Sequence, residues 1–162
     1  MSNAGLNELT AKYPGVEFAY QFAIDSYEIA WKRWDAMESR IHGLMALAAA
    51  LTLAIPTAGK SLGLELNSVW FYLALAAFIG LMGVGFYARS IGSLKVVDPT
   101  VHYDKWLHYT EWEFKKNFIY WSGIHYDLNR QTIHRKWRLM VIVMALFTFE
   151  VVCISLLALY RP

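Results

Sequence analysis

Cysteine is almost missing: Cys153 is the only one in 162 residues. A lone thiol excludes an intrachain disulfide and any cysteine-rich metal site. Charge is scarce as well. Asp, Glu, Lys and Arg make up 17% of the chain against 57% hydrophobic residues, whereas soluble domains carry about 25% charged residues. The five histidines, His42, His102, His108, His125 and His134, offer no pair at i, i+4 and no cysteine companion, so the spacing that zinc needs is lacking. No serine or cysteine stands beside a recognisable base, and Glu111 and Glu113 point to different sides of a helix. The expectation is therefore no enzyme, no metal and no cofactor. The first forty residues hold no short apolar core followed by small residues, so no cleavable signal is expected.

What the chain has in quantity is apolar length. Residues 41–58, 69–88 and 139–160 are runs close to the roughly 20 residues that a helix needs to cross about 30 Å of hydrocarbon. Trp70, Tyr72, Tyr87, Trp137 and Tyr160 stand at their ends, where amphipathic rings prefer the headgroup level. The run 69–88 has no polar face, which argues against a water-soluble bundle. The expected fold is thus an all-α integral membrane protein with three transmembrane helices. The first and third continue into long cytosolic helices, and the whole forms a homo-oligomeric bundle in the lipid bilayer.

Of fifteen Lys and Arg, four precede the first run, nine lie between Arg89 and Arg138, and only Lys60 and Arg161 lie elsewhere. The positive-inside rule puts the N-terminus and segment 89–138 in the cytoplasm of a bacterial inner membrane, with the C-terminus outside.

Residues 1–15 read as an arm closed by Pro14-Gly15. From there Val16, Tyr20, Ala23, Tyr27, Ala30, Trp34, Met37 and Ile41 recur at alternating steps of four and three, the seam of a helix that packs along its length on another. That partner is the later cytosolic helix, a second copy, or both. Glu28 and Lys32 form a favourable pair one turn apart. Pro56 is expected to end the first span. Within the following loop, Ala58-Gly59-Lys60-Ser61 imitates the tail of a phosphate-binding loop, but the first required glycine is Ala54 and no strand precedes it. In the second span Gly80, Gly83 and Gly85 predict close helix packing.

Residues 89–104 read as a linker, and 105–138 as one helix or two broken near Ser122-Gly123. This stretch interleaves cations with aromatics. Lys115, Lys116, Trp121 and Arg130 form a candidate face for a partner or for a nucleotide or nucleic-acid ligand, and Arg135, Lys136, Trp137 and Arg138 a lipid anchor. Glu150 is the one acid inside an apolar run. A central acid costs about 3 kcal/mol on insertion scales, so it must face protein or water. It either bonds a neighbouring hydroxyl such as Thr52, meets a partner chain, or joins a ring of acids lining a pore.

The charged helix, the Asp-x-x-x-x-Arg step from Asp35 to Arg40, and a Gly/Ala/Leu-rich span ending in Pro56 together resemble small prokaryotic membrane effectors of antiphage defence, the SLATT and Pycsar-type transmembrane families. The resemblance covers residues 20–89. It implies an oligomeric effector, a gated pore or membrane-disrupting protein of abortive infection, released by a nucleotide signal or a cytosolic partner. The third span and the lack of a separate sensor domain depart from that pattern and point to a separately encoded regulatory protein. A membrane adaptor that anchors a soluble enzyme is the rival reading.

Overall fold

The structure, a computed structural model, describes residues 13–62, 68–97, 106 and 108–159. Most of the arm, part of the linker and the last three residues, with Tyr160 and Arg161, lie outside the described residues. The described part is all-helical: α1 is Val16–Leu62, α2 is Val69–Ser90 and α3 is Glu111–Leu159. All three are long and apolar enough to cross a membrane. At 1.5 Å per residue α2 measures about 33 Å, while α1 and α3 are more than twice as long as a crossing requires.

Three boundaries differ from the sequence expectation. Helix α1 runs through Pro56 to Leu62, so the Ala58-Gly59-Lys60-Ser61 stretch is helical and not a loop. Proline removes one backbone donor, the one that would have reached the Thr52 carbonyl; beside it the Thr57 hydroxyl donates to a different carbonyl, that of Ala54, at 2.9 Å. Helix α3 begins at Glu111, later than expected, because Thr110 and Glu113 build a reciprocal cap. The Thr110 N–H donates to Glu113 Oε2 at 2.9 Å, and the Glu113 N–H to Thr110 Oγ1 at 3.3 Å, the Thr-x-x-Glu capping box. Nor does α3 break at Ser122-Gly123. The Ser122 hydroxyl is satisfied by the carbonyl of Ile119 at 2.8 Å within an unbroken helix.

The chain divides into two compact units, Met1–Trp34 with Ser93–Ile133, and Asp35–Gly92 with His134–Pro162. In the first, α1 and α3 pack through rings. Tyr20 meets Phe114 and Phe118 at 6.3 and 5.2 Å, Tyr27 meets Phe118 at 6.0 Å, and Trp106 stands perpendicular to Phe114 at 5.6 Å. These edge and offset contacts are the arrangements ring quadrupoles favour. Gly92, with φ 45°, takes the left-handed backbone that side chains resist and leads into residues 93–97, which are neither helix nor strand.

In the second unit small residues replace rings. Helix α2 buries Ala74, Ala77, Leu81, Gly85 and Ala88, α1 buries Met37, Ile41, Met45, Ala48 and Ile55, and α3 buries Met140, Val143, Cys153 and Leu157. A Cβ on Gly85 would lie 2.6 Å from the Met45 sulfur, so glycine there permits the close approach. Gly80 faces Leu146 with room for a Cβ. Gly83 meets nothing of its own chain within 4 Å and is exposed.

One register recurs in both units. In the first, Glu17 pairs with Lys115 and Tyr27 with His125; in the second, Glu38 pairs with Lys136 and Thr52 with Glu150. Every pair is 98 residues apart, and a constant difference means that α1 and α3 run parallel. Leu146 therefore stands level with Ala48. Since Gly85 lies by Met45 and Gly80 by Leu146, α2 descends where the other two ascend.

Candidate functional site

The eight seam residues Val16, Tyr20, Ala23, Tyr27, Ala30, Trp34, Met37 and Ile41 are all buried or half-buried, and Tyr20 and Tyr27 among them meet α3. The complementary line on α3 has an unexpected composition. Ser122, Asn129, Lys136, Val143, Glu150 and Leu157, each seven residues after the last, are all buried, and four of the six are polar. A buried polar group must find a bonding partner or destabilise the fold, so this line is where specific chemistry is held.

Asn129 is fully engaged. Its side-chain oxygen accepts from the Lys95 N–H at 2.7 Å and its amide donates to the Lys95 carbonyl at 2.8 Å, a two-bond clamp that ties residues 93–97 to α3. Close by, the Tyr27 hydroxyl lies 2.8 Å from His125 Nδ1. Burial pushes the Tyr27 phenol up to about 12. Burial, then the positive charge of Lys95, holds the His125 imidazole below its usual 6.5. At neutral pH the phenol keeps its proton and the ring is neutral, so one hydrogen bond joins them and the ring's tautomer sets which of the two donates. A groove of about 280 Å³ lined by Tyr27, Ala30, Trp31, Leu94, Val96 and Asn129 opens beside this pair; none of the cations assigned to a ligand face lines it.

Those cations do not act together. Lys115 is turned inward, bonded to Glu17 at 2.5 Å and Glu111 at 2.7 Å and lying 5.7 Å from the centre of the Tyr20 ring, and Glu111 then Glu17 raise its ammonium above the usual value. It is a packing cation, which corrects its place in the ligand face. Lys116, Trp121 and Arg130 are exposed, but helical geometry puts Trp121 on a different side from the other two. The lipid anchor needs a similar correction. Arg135, Trp137 and Arg138 are exposed, whereas Lys136 is fully buried and paired with Glu38, because it occupies the buried heptad position.

Glu150 is the polar centre of the second unit. It has no exposed surface, and Thr52 Oγ1 donates to its Oε1 at 2.7 Å. Its Oε2 has no hydrogen-bond partner among the described residues. Cys153, one turn on, is buried too. In this packing the carboxyl is enclosed by its own chain. Among the described residues no group of three or more His, Cys, Asp or Glu could hold a metal ion.

Comparison with protein-family models, with curated proteins and with solved structures gives no match. The functional reading therefore rests on the residues themselves.

Proposed function

We propose that this chain is an oligomeric transmembrane effector of a bacterial antiphage, abortive-infection system: a gated pore or membrane-disrupting protein of the inner membrane, with its N-terminus in the cytoplasm and its C-terminus outside. The ring-packed unit stands in the cytosol, where a separately encoded regulatory protein, or a nucleotide or nucleic-acid signal, engages it. The observation that carries this reading is Glu150, an acid enclosed in the most apolar part of the chain with only one of its two oxygens bonded. Acids at such depth are costly and serve conduction or proton and ion handling more often than stability. The resemblance of residues 20–89 to small membrane effectors supports the biological setting.

In mechanism, the resting packing holds Glu150 against Thr52. A signal that binds the cytosolic helices more tightly in a second packing shifts the population toward it, and the acid then faces a conduit between copies. Induced expression, with the trigger supplied by infection or a co-expressed regulator, collapses the membrane potential and arrests growth; Glu150→Gln alters conductance and ion preference. An unchanged potential under every trigger removes the pore. The exposed Trp121, Ile124 and Leu128 favour one alternative, an adaptor that anchors a soluble partner. In that case the partner co-purifies and the potential stays constant.

A further inference from the structure

The first unit leaves a second set of apolar residues uncovered. Phe18, Phe22 and Ile29 are 79, 63 and 50% exposed. They lie two residues after Val16, Tyr20 and Tyr27, about 200° round α1 from the seam. On α3, the exposed Trp121, Ile124 and Leu128 lie one residue before the inward Ser122, His125 and Asn129, about 100° round. Both stripes step by three, four or seven, the period that fits a helix laid alongside rather than a loop. The α1 register is kept along the helix. Phe22 and Ile29 are followed at steps of seven by Ala36, Gly43 and Ala50, all exposed, and what covers Phe18, Phe22 and Ile29 is a helix with an apolar stripe of its own. In this chain α1 and α3 are such helices.

Charge chooses between them. Residues 16–31 carry Glu17, Asp25 and Glu28 and no Lys or Arg. The outward cations of α3 are Lys116, Arg130, Arg135 and Arg138 against Glu111 and Glu113 in its first turn and Asp127 beyond it, and its three arginines form no ion pair among the described residues. Laying α1 on another α1 would set acid on acid. We infer that the outer side of α1 in one copy docks on the side of α3 in the next copy, a head-to-tail contact that closes into a ring.

This rests on the oligomeric reading above and names its interface. A ring axis along the membrane normal leaves heights unchanged, and the offset of 98 puts residue 22 level with 120 and residue 29 level with 127. Phe22 therefore meets Trp121 and Ile29 meets Leu128. The structure buries the native Cys153, so the test introduces new thiols into the full chain. Phe22→Cys with Trp121→Cys, and Ile29→Cys with Leu128→Cys, are oxidised in membranes and run without reductant. An intrachain bond is excluded, because Cα atoms must come within about 7 Å and these side chains point away from each other's helix.

Both double variants give ladders at two, three and more times 18.6 kDa, and each single variant stays monomeric. A ladder from one double variant alone keeps the contact and overturns the equal-height register. Dimers from Phe22→Cys alone overturn it in favour of a two-fold contact, and no cross-link in either double variant, with helicity retained by circular dichroism, overturns it in favour of a different partner. Depolarisation is read separately, so a ladder without depolarisation defeats the pore and leaves the interface standing.

Discussion

The two units solve the same problem, a parallel α1–α3 pair in one register, with opposite materials. The first fills the seam with Tyr20, Tyr27, Phe114 and Phe118; the second fills it with Met45, Ala48 and Val143 and adds α2, whose buried side is mostly alanine and glycine. In water, large rings gain most because association removes apolar area from solvent. In lipid that gain vanishes, and helices associate by close approach of small residues and by bonded polar groups. Under the proposed topology the ring-packed unit lies in water and the small-residue unit in lipid.

The sharpest way to break this comparison is at the buried pair. Glu38 keeps part of its side chain in contact with solvent while Lys136 has none. Removing one partner of a buried pair costs about 3–5 kcal/mol when the other stays enclosed. Glu38→Gln should approach that figure, and Lys136→Met should cost less because the remaining acid can hydrate. Thermal midpoints of the detergent-solubilised protein decide it, and equal shifts would show that exposure is not the controlling difference.

The glycines of α2 come next. Gly85→Ala drives a Cβ into Met45 and should cost about 1–3 kcal/mol, the usual range for overpacking. Gly83→Ala meets nothing and should be neutral or gain up to about 1 kcal/mol of helix propensity. In the first unit, Asn129→Leu strands the N–H and carbonyl of Lys95, at about 1–3 kcal/mol, with faster proteolysis within residues 93–97 as the local readout.

The smallest effect is a pH dependence. His125 titrates lower folded than unfolded, so between those two values the unfolded chain binds more protons. Its contribution is therefore complete above about 6.5 and declines as pH falls through that value toward the folded one. The difference in thermal midpoint between wild type and His125→Phe should narrow over that window; a constant difference would remove His125 from the titration.

Periodicity made part of this molecule readable. The alternation from Val16 to Ile41 is visible because nearly all its members are apolar, and Thr52 could be named beside Glu150 because few hydroxyls occur in the first apolar run. The heptad line of α3 was harder. Four of its six buried members are polar, so hydropathy hides it, and Lys136 sits among exposed cations that disguise its position. Lys115 was misleading for the same reason. Pro56 looked like a terminator because local rules weigh the lost donor, yet only one helical bond, the one to the Thr52 carbonyl, depends on it. Thr110 and Glu113 did carry a start signal, but the run of aromatics before them drew the boundary too early.

Pro56 has one more bearing on Glu150. A proline deprives the carbonyl four residues earlier of its helical donor, and four residues before Pro56 stands Thr52, whose hydroxyl holds the acid. The turn of α1 that steadies the carboxyl is therefore also its weakest turn. A hinge at this height would let the hydroxyl swing off the acid while Ile41 and Met45 stay seated, so the environment of Glu150 can change without the whole helix having to slide or rotate.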